Sequence, residues 1–463
     1  MRNPNMFTTA VVLASLLSVA SAIDRTTVAE QSAISDPAEQ CTTYNFPPIE
    51  EEIPKFPQVF TKATILENDD VARAKFEEIS SKIPDIAPKK EGDIDNYDTD
   101  QDSDCWWTAT LCTQPKAKDV LADISLVPEP QTLGYGFDDG PNCSHNAFYD
   151  HLTAQKQKAT MFFIGSNVLT WPLQAKRAMD DGHEICVHTW SHPQMTTLSN
   201  EDAFAEIYYS MQAIKLLTGA TPTCFRPPFG DIDDRIRAIS NSLGLTNILW
   251  QFDTNDSVPG PSGEVEEANI QKSYLNFIEA ANNGTFSTRG AILLAHETNN
   301  LTMQQAINFY PQLRAAFKHI VPIGVAFNKT QPYVEQDFKF PDFAKYIETE
   351  VTTVQNGTPS TGTIGTTSST QSSVVSPASS TSGTPPSIPI SISTASSGSA
   401  QAALPTGSDN SPDGLVRKMT VNASFTPKGV GFIMSSQNDG NGAESLSLSS
   451  TAVVLVPVVL LLL

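Results

Sequence analysis

Short β-rich runs alternate with longer helical patterns between about Cys112 and Tyr346. One helical pattern, residues 201–219, carries apolar side chains at helical spacing. Seven runs rich in β-branched and aromatic residues are interspersed with such patterns: QTLGYGF, ATMFFIG, HEICVHT, PTCFRP, TNILWQF, AILLAH and IVPIGVAF. Because strands that alternate with helices form parallel sheets, the pattern predicts an α/β layer or barrel.

Polar residues stand at the ends of several of these runs. Two adjacent acids end the first run and single polar residues end four others: Asp138, Asp139, His188, Arg226, Asp253 and His296. Loops at the carboxyl ends of parallel strands build the active site of an α/β barrel, so we expect these side chains to share one cleft. Solvated strand caps would explain one or two of them, but not a set with two acids, an arginine and histidines.

Two histidines, His188 and His192, are separated by three residues in CVHTWSHP. On a helical turn after the strand both imidazoles would face one way, and a nearby carboxylate would complete a two-histidine, one-carboxylate metal site. Two surface histidines beside a proline turn are the alternative. Such a site holds Fe(II) in oxygenases or Zn(II) that activates water, and the paired acids favour hydrolysis, because adjacent like charges need a cation.

Five motifs follow one another in the order GFDDGP, HTWSH, RPPFG, WQFDTND and ILLAHE. They resemble the motifs of the polysaccharide deacetylases, carbohydrate esterase family four, and among these the fungal chitin deacetylases. The resemblance covers about Cys105 to Tyr346 and implies a distorted (β/α) barrel. It also implies hydrolysis of N-acetyl groups on the N-acetylglucosamine units of chitin, giving chitosan and acetate, with one divalent metal ion, Zn(II) or Co(II).

The resemblance implies catalytic roles for four residues. Asp138 would be the general base that takes a proton from the attacking water, and Arg226 would orient it. His296 would be the general acid that protonates the departing sugar amine, and Asp256 would tune its charge. The two adjacent acids would then have different roles, with Asp138 as the base and Asp139 as a metal ligand.

The resemblance also implies a ligand set and a substrate-binding set. The metal ligands would be Asp139, His188 and His192. The backbone N–H of Phe229 would stabilise the oxyanion of the tetrahedral intermediate, and Leu294 would line the pocket for the acetate methyl group. Trp250 would complete the substrate-binding set.

Two positions depart from the family pattern. Gly136 stands where the family usually has Thr or Ser, and Ser257 stands where it usually has Trp. The second change removes an aromatic wall near the acetyl group and creates a glycosylation sequon at Asn255. A glycan there would crowd the cleft, so we expect Asn255 to be unmodified.

Both ends of the chain carry sorting signals. Residues 1–22 contain a single arginine, an apolar run and then the small-residue pattern Ala20-Ser21-Ala22, which together predict a secretory signal peptide. The terminal apolar stretch, 451–463, is too short to span a bilayer, and small residues precede it. This arrangement predicts a GPI-attachment signal at 442–463 with Asn441 as the anchored residue and Asn438 as its rival; a tail-anchor helix or a frayed apolar end is the alternative.

Between the two signals we expect three regions. These are an acidic N-terminal extension with no chemistry of its own (23–104), the catalytic domain (105–347) and a disordered, glycosylated Ser/Thr-rich stalk (348–441). The predicted N-glycosylation sites are Asn142, Asn283, Asn300, Asn328, Asn356 and Asn422. We therefore expect a secreted protein, GPI-anchored to the plasma membrane, with a fraction in the cell wall.

The formal net charge of −22 excludes nucleic acid as a partner, because a polyanion would be repelled. The expected partners are chitin or its oligosaccharides and the chitosan product, and the expected state is a monomer. A deacetylase of another acetylated glycan, such as xylan esters or peptidoglycan, is a second hypothesis. A non-catalytic wall glycoprotein or chitin-binding antigen is a third, although no expected ligand, base or acid is missing.

The chain has six cysteines and no Cys-x-x-Cys pair. In the oxidising compartment implied by a signal peptide, an even number of cysteines favours disulfides over a zinc–thiolate site. The pairing cannot be deduced from spacing. Cys186 and Cys224 lie in strand-like runs, so buried free thiols are the alternative for these two.

Overall fold

The computed structural model describes residues 25–260 and 263–348. Within these residues the strands are β1 (Thr132–Gly134), β2 (Gly136–Gly140), β3 (Thr160–Phe163), β4 (Glu184–Val187), β5 (Cys224–Phe225), β6 (Thr246–Asn247), β7 (Phe252–Asp253), β8 (Ala291–Leu294) and β9 (His319–Val321). All of the pairings between these strands are parallel.

The helices connect and flank the strands. The α-helices of the described residues are α1 (Val28–Ser32), α2 (Pro37–Gln40), α3 (Pro47–Glu50), α4 (Asp70–Ser80), α5 (Trp107–Thr110), α6 (Asn146–Ala154), α7 (Gly165–Thr170), α8 (Pro172–Asp180), α9 (Asn200–Thr218), α10 (Asp234–Ser242), α11 (Glu267–Asn282), α12 (Asn300–Ala316) and α13 (Ile323–Ala326). Short 3₁₀ helices span Ile53–Lys55, Asp93–Asn96, Met195–Thr197 and Pro228–Gly230.

Two parallel sheets form an irregular barrel. Their strand orders are β7-β8-β1-β9 and β2-β3-β4-β5-β6. They join at Tyr135, between β1 and β2, whose N–H donates to the Val321 carbonyl and whose carbonyl accepts from the Thr160 N–H. On the other side, β6 and β7 follow each other in one chain segment. The prediction of a distorted (β/α) barrel is confirmed.

The helix predicted over residues 201–219 is present as α9. The Ser199 hydroxyl caps its first turn by accepting the Asp202 N–H, and Gly219 ends it at a φ of 75°, where a residue without Cβ fits best. Its apolar face, including Phe204 and Ile207, is fully buried in the core. This burial holds α9 against the barrel, so the chemistry at the strand ends rests on a rigid layer.

The acidic N-terminal region packs on the barrel. Ala63, Ala72 and Ile79 are fully buried and belong to the same apolar core as the strands and helices of the barrel. Helix α4 lies against α9. Residues in the range 25–104 therefore pack into the same folded body as the barrel, a placement that the composition of the region does not suggest.

All six cysteines are paired. The disulfides are Cys41–Cys143, Cys105–Cys112 and Cys186–Cys224. The alternative of buried free thiols for the last pair is wrong, because neighbouring strands β4 and β5 bring these two side chains together. The first disulfide ties the N-terminal region to the loop that follows β2.

Several predicted features lie outside the described residues. These are the signal peptide at 1–22, nearly all of the stalk at 348–441, Asn441 and the segment 442–463. In the part of the chain that the structure describes, no helix combines the length and apolar character that a membrane span requires.

Candidate active site

The adjacent aspartates end strand β2. In a regular strand neighbouring side chains point to opposite faces, so Asp138 and Asp139 would diverge. Asp139 instead has a φ of 70°, and the pairing of β2 with β3 shifts register after Phe137. Both carboxylates therefore approach one imidazole: His188 Nε2 lies 3.8 Å from Asp138 Oδ2 and 3.4 Å from Asp139 Oδ1.

Asp139, His188 and His192 form a compact set of potential metal ligands. Their ligand atoms lie within 4.8 Å of one another, and His192 Nε2 is 3.2 Å from Asp139 Oδ1. Burial opposes the charge of Asp139, but His192 and His188 together hold the pKa of this carboxyl well below its usual range. The predicted helical turn between the histidines is wrong: residues 188–192 form a loop in which Thr189 and His192 have φ values of 65° and 61°.

The donor set fits a divalent metal ion. His188 Nδ1 lies 2.7 Å from the Arg226 carbonyl oxygen, which can only accept, so Nδ1 carries the proton and Nε2 is free to coordinate. Within the described residues, the buried Asp139 Oδ1 meets no donor in good hydrogen-bond geometry, although the two imidazole Nε2 atoms lie 3.2 and 3.4 Å away. A carboxylate oxygen beside two imidazole Nε2 atoms is a donor set that can coordinate a divalent metal ion.

Asp138 pairs with Arg226 in a fully buried environment. Arg226 Nη1 donates to Asp138 Oδ1 at 2.6 Å, which leaves Oδ2 on the side of His188. The guanidinium is packed between rings, with its carbon 3.9 Å from the Phe162 ring centroid and 5.7 Å from that of Trp250. The side chain of Arg226 is thus fixed, and it fixes the carboxylate in turn.

His296 and Asp256 form a second buried pair. His296 Nδ1 lies 2.6 Å from Asp256 Oδ1, and the His296 backbone N–H donates to Asp256 Oδ2 at 3.0 Å. Burial disfavours the charged imidazole, but the Asp256 carboxylate, aided by Asp139 and Asp138, raises the pKa of His296 to about 10. His296 is therefore protonated at neutral pH and can donate a proton.

A backbone bridge brings the two pairs together. The Asp138 N–H donates to the Ala295 carbonyl, and the Glu297 N–H donates to the Asp138 carbonyl, so the ends of β2 and β8 lie side by side at Asp138 and His296. The residues predicted to serve as base and acid, which are far apart in sequence, thus occupy neighbouring strand ends.

The three expected substrate-binding residues have different surroundings. Phe229 is 56% exposed, and its ring lies 4.7 Å from the His192 ring. Leu294 is buried at the end of β8, two residues before His296. Trp250 is half-buried against Trp107, with ring centroids 4.8 Å apart, and also flanks Arg226 as described above. Only Phe229 offers a large open apolar surface beside the ligand set.

Left-handed backbone conformations gather in the loops of this site. The non-glycine residues with positive φ here are Asp139, Thr189, His192, Phe229 and Asn255. Such conformations cost about 1–3 kcal/mol each and persist where surrounding contacts impose them. Here they turn side chains of adjacent residues towards one cleft, as Asp139 shows.

The sequons differ in accessibility. Asn283, Asn300 and Asn328 are exposed, whereas Asn142 is partly buried and its Nδ2 donates to the Thr298 carbonyl at 2.6 Å. Asn255 is also partly buried, and its Nδ2 donates to Ser273 Oγ at 2.8 Å. The remaining predicted glycosylation sites, Asn356 and Asn422, lie outside the described residues.

Sequence reasoning missed two buried glutamates near the site. Glu206 of α9 accepts hydrogen bonds from the loop that holds the two histidines. The sequence does contain an indication of its burial, because Glu206 lies on the same face of α9 as the small residues Ala203 and Ser210. Glu297 occupies the space where Gly140 lacks a side chain, since a Cβ added there would overlap the carboxyl group. Sequence spacing gives no indication of that contact.

The chain is similar to known proteins over most of its described length. Residues 127–248 match the family model for polysaccharide deacetylase. Chitin deacetylase 2 of Cryptococcus neoformans var. grubii serotype A is 50% identical over 328 residues, which cover 69% of this chain and 71% of the relative. The chitin deacetylase of Amylomyces rouxii is 43% identical over 344 residues, covering 72% and 78%.

Among solved structures, that of the chitin deacetylase from Colletotrichum lindemuthianum has a TM-score of 0.40 and 23% identity, covering 45% of this chain and 92% of its own. The family assignment rests on the two fungal relatives, each matched over more than two thirds of its length. This chain belongs to the polysaccharide deacetylase family.

Proposed function

We propose that this protein hydrolyses the N-acetyl groups of N-acetylglucosamine units in chitin, producing chitosan and acetate. One observation carries the proposal: an Asp–Arg pair and a His–Asp pair lie at neighbouring strand ends, beside a carboxylate and two imidazoles that can hold a metal. The names of the fungal relatives support chitin as the substrate. In this proposal the Asp–Arg pair supplies the group that accepts a proton, and the His–Asp pair supplies the group that donates one.

Asp139, His188 and His192 would hold the metal, which we propose is Zn(II) or Co(II). When bound there, a divalent ion supplies Lewis-acid chemistry that acidifies water and polarises a carbonyl group. The protonated Nδ1 of His188, held by the Arg226 carbonyl, keeps Nε2 directed at the ligand set.

Asp138 is the general base in this mechanism. Arg226 occupies its Oδ1, so Oδ2 remains available to take the proton from the attacking water. The guanidinium cannot accept that proton, and its buried position prevents the carboxylate from rotating away. The water oxygen forms the new bond to the acetyl carbon.

His296 is the general acid. Its Nδ1 is bound to Asp256, so the proton on Nε2 is the one transferred when the amide C–N bond breaks. The amine of glucosamine leaves with that proton, and the acetyl group leaves as acetate. The Phe229 backbone N–H is assigned to the oxyanion, Leu294 to the acetyl methyl group and Trp250 to the sugar, with Trp250 also supporting Arg226.

Acetate release tests the substrate class. The purified protein is supplied with chitin oligosaccharides, acetylated xylan and peptidoglycan at equal acetyl content, and acetate is measured from each. Release from the chitin oligosaccharides at a rate well above the other two is expected. Preferential release from another polymer would replace chitin as the substrate, and binding of chitin without any release would indicate a non-catalytic wall protein.

We further propose that the protein acts as a monomer at the cell surface, where it is GPI-anchored with a fraction in the wall. The apolar N-terminal run and the small-residue and apolar C-terminal pattern support this location. Treatment of intact cells with a phosphatidylinositol-specific phospholipase should release the protein. Retention after treatment would favour a membrane-spanning tail.

A further inference from the structure

A segment of the N-terminal region lies against the loop that carries two of the proposed metal ligands. We name residues 56–66 the strap and residues 188–192 the histidine loop. The ring of Phe56 stacks on that of Trp190, with centroids 5.9 Å apart and planes 9° from parallel. Trp190 Nε1 donates to the Gln58 carbonyl at 3.1 Å. The strap thus holds the centre of the histidine loop through both packing and a hydrogen bond.

Further along, the strap is tied to α7 and α9. The Phe60 N–H donates to Ser166 Oγ at 2.9 Å, and that hydroxyl donates to the Trp190 carbonyl at 2.6 Å. Lys62 forms an ion pair of 2.7 Å with Asp202 of α9. These contacts link the strap to both elements that flank the histidine loop.

Glu206 of α9 joins the strap to the histidine loop directly. Its side chain is fully buried. One oxygen, Oε2, accepts the N–H groups of Trp190 at 2.9 Å and Ser191 at 2.8 Å. The other, Oε1, accepts the Ala63 N–H of the strap and the Ser191 hydroxyl, both at 2.7 Å. One buried carboxylate therefore satisfies donors from both segments.

The histidine loop needs such support because its backbone is not regular. Thr189 and His192 are left-handed, and the N–H groups of Trp190 and Ser191 are turned away from any sheet ladder. A buried N–H without an acceptor costs about 1–3 kcal/mol. Without the carboxylate of Glu206 the loop would rearrange to recover those bonds, and the two imidazoles at its ends would move with it.

We propose that Glu206 is a positioning residue for the metal site and that the strap helps it to hold the histidine loop in place. Metal affinity then depends on the N-terminal region. This inference rests on the proposed metal-dependent function. It gives residues 56–66 a role in the chemistry although none of them belongs to the ligand set. Residues that orient metal ligands without binding the metal typically change affinity 10–100-fold when replaced.

The test measures zinc affinity of the full chain by competition with a chromogenic chelator, together with thermal unfolding of the metal-free protein. The variants are Glu206→Gln and Phe56→Leu. In Glu206→Gln one carboxylate oxygen becomes an amide NH₂, which cannot accept a hydrogen bond. The hydrogen bonds are then lost either to the histidine loop or to the strap. The matched control is Glu184→Gln, because Glu184 is also a buried glutamate whose Oε2 accepts a hydroxyl and a backbone N–H, but from Thr160 and Gly324.

We expect Glu206→Gln to weaken zinc binding about 10–100-fold and Phe56→Leu to weaken it less, while Glu184→Gln lowers the melting temperature without weakening zinc binding. Wild-type affinity in folded Glu206→Gln would overturn the proposal, and so would an equal loss of affinity in the control. If Glu206→Gln does not fold, Phe56→Leu decides: weaker zinc binding supports the proposal and unchanged binding overturns it. Because this experiment measures zinc binding and not acetate release, its result does not depend on whether chitin is the substrate.

Discussion

The two ends of strand β4 use buried polar groups differently. At the amino end, Glu184 Oε2 accepts hydrogen bonds from Thr160 Oγ1 at 2.6 Å and the Gly324 N–H at 2.8 Å. At the carboxyl end, His188 faces the carboxylates of Asp138 and Asp139, and Asp139 Oδ1 meets no donor in good hydrogen-bond geometry within the described residues. In α/β barrels the first end serves stability and the second serves chemistry. The carboxyl end therefore differs in bringing ionisable side chains face to face, whereas Glu184 at the amino end meets a hydroxyl and a backbone N–H.

The largest effect is expected at the carboxyl end from loss of a ligand. Asp139→Asn or His188→Ala should lose the metal and, with it, nearly all acetate release, because two remaining donors hold a divalent ion weakly. Metal content of the purified variants by elemental analysis checks this. Stoichiometric metal in either variant would contradict the ligand assignment.

Replacement of the neighbouring aspartate, Asp138, should reduce turnover without loss of the metal. Asp138→Asn keeps the shape of the side chain but removes the base, so turnover should fall about 10²–10⁴-fold while the metal is retained. Acetate release and metal content are measured on one preparation. Loss of metal in this variant would show that the two aspartates share one role.

A smaller effect is expected from the partner of the general acid. The pKa of His296 is raised to about 10 chiefly by Asp256, against the opposing effect of burial. A general acid is active below its pKa, so activity is lost as pH rises through that value. Asp256→Asn should lower the pKa and move the alkaline limb of the pH–rate profile towards neutral pH. An unmoved limb would show that another group donates the proton.

The smallest effect on catalysis is expected at the amino end of β4. Glu184→Gln should reduce the free energy of unfolding by about 1 kcal/mol, because it weakens hydrogen bonds to a buried carboxylate. Acetate release per folded molecule should be unchanged. Chemical denaturation and kinetics on the same sample would show both, and a fall in kcat would erase the contrast between the two ends.

Much of this site could be predicted from the sequence. The runs that become β2, β4, β5 and β8 end in the residues that meet at the cleft, because parallel strands place their carboxyl ends on one side. That rule predicts the neighbourhood of Asp138, His188, Arg226 and His296. The barrel itself followed from the alternation of strand and helix patterns.

What the sequence could not predict depends on local backbone and on long-range packing. The alternation rule places Asp138 and Asp139 on opposite faces, and only the left-handed Asp139 brings them together. The histidine loop is not helical for a similar reason. The disulfides join residues separated by 102, 7 and 38 positions, a pairing that spacing does not determine.

The N-terminal region was the least predictable part. Its acidic, proline-containing sequence gives weak periodicity, so the strap looked like a peripheral segment. Its structure is imposed by partners elsewhere in the chain, Trp190 and Glu206. The ring that Phe56 stacks on and the carboxylate that accepts the Ala63 N–H both lie far away in the sequence, so the segment itself gives no sign of them.

We propose that metal-assisted hydrolysis of the acetyl group occurs at the site of Asp138, Asp139 and His296. The most direct measurement is acetate release from chitin oligosaccharides by the purified protein before EDTA treatment, after it, and after zinc or cobalt is restored. We expect acetate release to disappear with EDTA and to return with the metal. Release that continues at the same rate after complete metal removal would contradict it.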